Sequence, residues 1–330
     1  DSVVKRSFVA TGGTVLASKL ALEAKLACNT AGGRHHATYD FGAGYCVFND
    51  VAVAANFLKN KGYAKKILIV DLDVHQGNGN AEIFKNDCDV ITFSMHCASN
   101  YPARKSKSDV DFELKIPDGL KSGVYAAKLE IAENITEMVP FFVTAPLEKP
   151  QARICILIPT FTYTVYANIA RGNTNSEMRQ RMDDWGAQKY SADDHTEYGL
   201  STYNYHSDGS GISYSSRRRP IITMRSNVIS YPGVPGSGCR HFPADSHLWY
   251  WLEVKGYDFD IITDDEIHRH GADVIDCYDV LMTCSHPEYH TSNSLNALQE
   301  YTKKGGHLLY LGGNGFYWKV AVTDHWEDAV

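Results

Sequence analysis

The apolar run Ile67-Leu68-Ile69-Val70 leads straight into Asp71-Leu72-Asp73-Val74-His75-Gln76-Gly77-Asn78-Gly79. A run of that length bounded by polar and glycine residues reads as a buried strand. A chemically rich string at its carboxyl end fits an α/β fold, which presents side chains from strand ends. Side chains alternate along a strand, so Asp71, Asp73 and His75 are expected to point the same way. Asp73 and His75 offer one hard oxygen and one borderline nitrogen, a pair that suits a divalent ion such as zinc. The plain alternative is a structural hydrogen-bond cluster. Upstream, His35-His36 stand together in Gly-Gly-Arg-His-His-Ala, followed by Gly-Ala-Gly-Tyr-Cys-Val-Phe-Asn-Asp from Gly42 to Asp50. Neighbouring imidazoles beside a metal-bound water are what general acid/base hydrolysis uses.

Helix and strand periods alternate along the whole chain. Residues 13–27 read as an amphipathic helix, 49–58 as another, 66–70 and 90–95 as strands, and a polar stretch 97–111 leads into 112–116 and the turn Pro117-Asp118-Gly119. The segments 124–129 and 138–143 look like the end of a β-sandwich. From Arg153 the α/β pattern resumes, with strands at 154–158, 258–263, 278–284 and 307–312 and helices at 246–255 and 292–304. Gly256, Gly305 and Gly306 stand where helix C-caps are expected. Ligands of an open parallel sheet bind beyond the carboxyl ends of its strands, which is where Tyr163 to Tyr166, His286-Pro287-Glu288 and Asn314 fall.

The strings of the first part resemble the histone deacetylase family, in the form of its class IV members and related bacterial amidohydrolases, from Gly12 to about Gly119. The resemblance implies that His35 and His36 are an acid/base pair and that Asp73 and His75 bind zinc. It further implies that Asp71 orients His35 and that Gly44-Tyr45 line an acyl-lysine channel. The family takes a third zinc ligand from an aspartate in a later Gly-x-Asp motif and an oxyanion-stabilising tyrosine from a Gly-Gly-Gly-Tyr run. Neither lies within the matched stretch, so this unit reads as truncated and its zinc as weakly held. Losing the oxyanion donor alone costs roughly 3 to 4 kcal/mol of barrier.

The second part resembles the large subunit of N,N-dimethylformamidase, a ferric amidohydrolase. The strings are Phe141-Phe142-Val143, Pro159-Thr160-Phe161-Thr162-Tyr163 with Tyr166-Ala167-Asn168, Leu200-Ser201-Thr202-Tyr203, and His206-Ser207-Asp208-Gly209-Ser210-Gly211. Further on come His241-Phe242-Pro243-Ala244-Asp245, Ser285-His286-Pro287-Glu288-Tyr289 and Leu311-Gly312-Gly313-Asn314-Gly315-Phe316-Tyr317-Trp318. The resemblance implies Tyr166, Tyr203 and Glu288 as ligands of Fe3+, with Tyr205 the competitor for Tyr203, and His286 and Asn314 as catalytic neighbours. It also implies a small amide as substrate and a small subunit, or a homo-oligomer, as partner. Phenolates and a carboxylate are hard anionic donors that favour a ferric ion. A bland reading remains for each string. Any one of 20 tyrosines is usually a packed core residue. Ser285 and Glu288 also have the spacing of a capping box, and Gly312 to Gly315 resembles a phosphate loop.

Composition narrows the class of partner. A net charge of -7, from 32 basic and 39 acidic residues, argues against nucleic acid, and Arg217-Arg218-Arg219 before Pro220 reads as a solvated turn. Eight cysteines without a Cys-x-x-Cys pair indicate free thiols in a reducing, cytoplasmic setting. No run reaches the roughly 18 apolar residues of a membrane span. The start Asp1-Ser2-Val3-Val4-Lys5-Arg6 has neither an initiator methionine nor a signal-peptide layout and reads as an internal piece.

The expected architecture is therefore α/β in three parts. A truncated deacetylase-like parallel-sheet segment (1–119) precedes a short β segment (120–150), and a second α/β domain of flavodoxin- or glutamine-amidotransferase-like type (151–330) follows. The expected class is a metal-dependent amidohydrolase. The rival is an inactive fusion or gene join whose first part only packs or interacts.

Overall fold

Two units divide the chain, Asp1–Asp118 and Gly119–Val330. They are described from a computed structural model covering residues 2–97, 100–112, 116–132, 135–147, 149–217, 219–230 and 237–323. In the first unit, helices α1 (Ser2–Ala24) and α2 (Asp50–Asn60) precede strand β1 (Ile67–Asp71). Helix α3 (Asn78–Phe84) and strands β2 (Val90–Met95) and β3 (Val110–Phe112) follow. The strands form a parallel sheet in the order β1-β2-β3. Along β2 the residues Val90, Thr92 and Ser94 are buried and Ile91 and Met95 exposed, the period of a strand covered on one face. Ile69, Phe84 and Val90 pack with Ala52 and Ala55 of α2. The chain leaves the strand after Asp71. Asp73 and His75 thus do not share a strand face with Asp71 as alternation suggested. Helix α1 begins eleven residues before the expected start at residue 13. Its apolar residues Val3, Val4, Phe8, Val9, Leu16 and Leu20 are all exposed, so no core-facing stripe marks its beginning. Strand β3 begins inside the stretch read as polar, and residues 113–115 and Arg218 lie outside the described residues.

The second unit opens with an antiparallel ribbon, β4 (Gly123–Ala132) with β5 (Ile135–Val143). Strand β6 (Ile154–Ile158), helices α4 (Thr160–Val165), α5 (Ser176–Asp184) and α6 (Phe242–Lys255), strand β7 (Phe259–Thr263) and helix α7 (Asp264–His270) come next. Strands β8 (Val280–Thr283) and β9 (Tyr289–His290), helix α8 (Ser292–Lys303), and strands β10 (His307–Leu309) and β11 (Trp318–Lys319) complete it. Four strands form a parallel sheet ordered β10-β8-β6-β7. Both faces of this sheet are covered, which is why β6 reads as an unbroken apolar run. Cys155 and Leu157 face Ile267, Leu298 and Tyr301 of the α7 and α8 side. Ile156 and Ile158 face Tyr163, Phe242 and Leu252, with Val124 and Phe142 of the ribbon packed against them.

Helix α6 starts four residues earlier than its apolar pattern indicated, because Pro243 sits in its first turn, where a missing N–H costs nothing. It ends, as expected, on Gly256 in the left-handed conformation. The Ser285–Glu288 spacing caps no helix: α8 begins at Ser292 and its cap is Thr291. No helix among the described residues is long and apolar enough to cross a membrane. All eight cysteines are free thiols.

Candidate functional site

The chain passes from β6 into β7 on one side and returns across β6 to place β8 on the other, so the strand order reverses between β6 and β8. Loops leaving the carboxyl ends of two such strands diverge and open a crevice. Tyr166 follows β6 at the end of α4, and His286 and Glu288 follow β8. Tyr203 arrives by a different route. The carbonyl of Val165 at the end of α4 accepts hydrogen bonds from Ser201 Oγ (2.9 Å) and from the N–H and Oγ1 of Thr202 (3.3 and 3.2 Å). An orphan helix carbonyl thereby docks the segment that carries Tyr203.

These elements bring three oxygens together. Tyr166 Oη lies 2.8 Å from Tyr203 Oη and 2.8 Å from Glu288 Oε2. A phenol has one proton and a carboxylate accepts, so Tyr166 donates to Glu288 and receives from Tyr203, which is 2.5 Å from Tyr289 Oη. The Tyr166 and Tyr203 rings stack at 4.3 Å and 12°. His286 Nε2 lies 3.0 Å from the same Glu288 oxygen, which assigns the proton to Nε2 and leaves Nδ1 as the basic nitrogen. It is Tyr203, not Tyr205, that meets Tyr166; Tyr205 is exposed and bridges to Gly211. Asn314 is exposed in the loop after β10 and is not brought into the oxygen cluster. That loop does run beside the site. A Cβ on Gly312 would stand 2.3 Å from the Ser285 carbonyl oxygen, so only glycine permits the approach, and the next glycine borders His286 Nδ1. The Gly312 to Gly315 string thus serves a backbone contact and precedes no helix.

The environment sets the protonation of the cluster. Burial, then the bonds to Tyr203 and Glu288, push the Tyr166 phenol far above its ordinary range. Burial and the Tyr203 contact do the same to Tyr289. Burial holds His286 below the usual imidazole value against the pull of Glu288, with the Arg240 charge acting the same way as burial. Three residues without an expected role complete the surroundings. Tyr289 extends the phenol chain. Arg240 lies over the Tyr166 ring at 4.7 Å, and His241 packs on that ring at 4.3 Å with a left-handed φ of 55°. Such strain at a non-glycine residue persists only where its surroundings hold it. His241 and Tyr289 stand inside strings the sequence reading singled out, but neither string said which member faces inward.

A cavity of about 740 Å³ opens at the amino ends of β6, β8 and β10, the opposite side of the sheet. Its charges pair among themselves, Arg153 with Asp279 and Lys304 with Asp276.

In the first unit His35 Nδ1 is 2.5 Å from Asp71 Oδ2 and His36 Nδ1 is 2.7 Å from Asn78 Oδ1. Burial opposes charge on His35, but the bond to Asp71 and the Asp71 and Asp73 charges outweigh it and raise its pKa. His36 is lowered by burial and by His35 and His75, against its Asn78 bond. Two adjacent imidazoles thus differ in basicity. Asp73 and His75 meet, but they bond each other, Asp73 Oδ1 to His75 Nδ1 at 2.8 Å. Tyr45 is fully exposed. No three His, Cys, Asp or Glu side chains among the described residues converge on a metal-sized point.

The second unit is thus a parallel α/β domain that gathers phenols and a carboxylate at its switch point. Residues 54–329 match the family model described as N,N-dimethylformamidase beta subunit-like, C-terminal, and the chain belongs to that family. It is 36% identical over 253 residues to the N,N-dimethylformamidase beta subunit of Paracoccus aminophilus, an alignment covering 69% of this chain and 31% of that one. It is also 34% identical over 125 residues to histone deacetylase 2 of Arabidopsis thaliana, covering 38% of this chain and 32% of the other. Among solved structures it resembles an HDAC homolog from Aquifex aeolicus at 32% identity over 35% of this chain and 34% of that chain, with a TM-score of 0.30. The chain therefore has a dimethylformamidase-like region and a histone deacetylase-like region. It spans about a third of the length of these relatives.

Proposed function

We propose that this chain carries the metal-binding site of a ferric amidohydrolase that cleaves the C–N bond of a small linear amide, with Tyr166, Tyr203 and Glu288 as iron ligands. The observation that carries the reading is that Tyr166 Oη lies 2.8 Å from both Tyr203 Oη and Glu288 Oε2. Ionised phenols and a carboxylate are hard anionic donors, so the donor set fits a ferric ion by type. Bound there, a ferric ion would polarise the amide carbonyl and acidify water. The remaining roles belong to the chain. His286, kept neutral by burial, offers Nδ1 to accept a proton while its Nε2–H holds Glu288 in place. Arg240 adds positive charge on the far face of Tyr166. Asn314 is assigned to the substrate side of the loop bordering His286. The strand order, counted from β6 as 2-1-3-4, supports a flavodoxin-like reading of this domain.

A relative named as a beta subunit works within an assembly, so we assign this chain a small subunit or a second copy as partner, in a reducing cytoplasm. The first unit is assigned no deacetylase activity. The resemblance supplies Asp73 and His75 but no third zinc ligand within the matched stretch, and a tetrahedral site needs three protein ligands. The missing ligand favours a packing or interaction role for the unit.

Iron analysis and a visible spectrum of the purified chain test the proposal, with hydrolysis of N,N-dimethylformamide to formate and dimethylamine as the activity readout. Stoichiometric iron with a phenolate charge-transfer band is expected. A folded chain that takes up no iron overturns the assignment.

A further inference from the structure

Glu288 and Tyr166 come from loops 122 residues apart, yet their oxygens meet at hydrogen-bond distance. Something must hold the 285–289 loop to α4. One contact that does so is a buried hydroxyl. Thr162 Oγ1 accepts the backbone N–H of Tyr289 (3.3 Å) and shares that of Glu288 (3.2 Å) with the His286 carbonyl (3.0 Å). The carbonyl of the same residue accepts the N–H of Tyr166 (3.0 Å). Thr162 is fully buried, so water cannot substitute for it at those two amides. The next residue of α4 supports the same loop from its other end. Tyr163 Oη donates to Asp245 Oδ2 at 2.5 Å, while Asp245 Oδ1 accepts the N–H of Ser285 at 2.7 Å.

We propose that Thr162 is a positioning residue for the site: its hydroxyl clamps the Glu288–Tyr289 backbone onto the helix that ends in Tyr166, so that the oxygens are assembled before any ligand arrives. Its link to iron rests on the reading above, while the clamp itself does not. A site preassembled in this way loses affinity and rate together when its support is removed, even though the supporting atom touches neither metal nor substrate. Thr162→Val has the same shape and lacks the acceptor. Thr162→Ser keeps it.

Hydrogen exchange on the metal-free full chain tests the clamp directly. The amides of Glu288 and Tyr289 are expected to be protected in the wild type and in Thr162→Ser; in Thr162→Val that of Tyr289 is expected to exchange at least tenfold faster and that of Glu288, which keeps the His286 carbonyl, less so, while the other amides keep their protection. Fast exchange at both amides in the wild type overturns the clamp whatever the variants do. With ferric ion added, Thr162→Val is expected to bind at least tenfold more weakly and to shift the charge-transfer band, and Thr162→Ser to restore both. If the wild type binds no iron but the amides respond as stated, the clamp stands and the iron assignment falls. If iron binds equally to wild type and Thr162→Val and the two amides stay protected in both, the positioning role is wrong.

Discussion

At Glu288 one carboxylate oxygen serves two neighbours, Tyr166 at 2.8 Å and His286 at 3.0 Å, with the side chain almost wholly buried. Glu288→Ala removes the acceptor that ends the phenol chain and leaves the buried Tyr166 hydroxyl and the partly buried His286 Nε2–H unpaired. Loss of more than about 100-fold in iron affinity is expected, more than removal of an outer partner costs. Full iron occupancy with an unchanged visible spectrum in that variant would falsify the ligand set. Asp245 makes a second, separable prediction. Burial holds its proton, against the bonds from Ser285 and Tyr163, and moves its pKa up to about 6 from 3.8. The folded chain therefore binds this proton where the unfolded chain has released it. The group's contribution is greatest below pH 3.8 and falls as pH rises through 3.8 to about 6. Infrared difference spectra should show a carboxylic acid band titrating near pH 6 that is absent in Asp245→Asn. A band already lost by pH 4.5 would contradict the burial argument.

Elements with strong internal signals were legible, and those that lean on distant partners were not. The apolar runs at 67–70 and 154–158 and the strand Val90–Met95 gave their positions to within a residue, because β-rich segments flanked by turns have few alternatives. Helix α1 was missed by eleven residues at its start, since its exposed apolar residues carry no period. The cap of α2 shows how much one residue can hold. Asn49 is buried, its Oδ1 accepts the N–H of Ala52 (2.9 Å), and its Nδ2 donates to Ala37 O (3.1 Å) and Asn80 Oδ1 (2.9 Å). Asn49→Ala therefore removes a helix cap together with two buried hydrogen bonds. A loss of about 2 to 3 kcal/mol is expected in the first unit's denaturation midpoint, with the second unit's transition unmoved. A change below about 0.5 kcal/mol would mean that the cap is redundant.

On the scale of the whole chain, the two units differ in how completely they cover themselves. In the first, Leu68, Val70, Ile91, Met95, Val110 and Phe112 are all exposed, whereas the β6 and β8 strands of the second are buried on both faces. A sheet with an uncovered apolar face is weakly stabilised. Limited proteolysis should cut first within residues 97–119 and leave a fragment beginning near Arg153 or earlier. One cooperative unfolding transition, with protection spread evenly over both units, would refute that order. Acetyl-lysine peptides should not be turned over, because the matched stretch offers Asp73 and His75 but no third zinc ligand; robust activity abolished by His36→Ala would show a replacement ligand. The sequence by itself determined the α/β class, the strands of both sheets other than β3 and the strings that hold Tyr166, Tyr203 and Glu288, because periodicity and motif are properties of neighbouring residues. Only the tertiary structure decided that Tyr203 rather than Tyr205 joins the cluster, that Tyr289, His241 and Arg240 surround it, and that Thr162 ties its loops together. Those contacts join segments tens to more than a hundred residues apart, and the distances that select between them exist only once the sheet has ordered its strands.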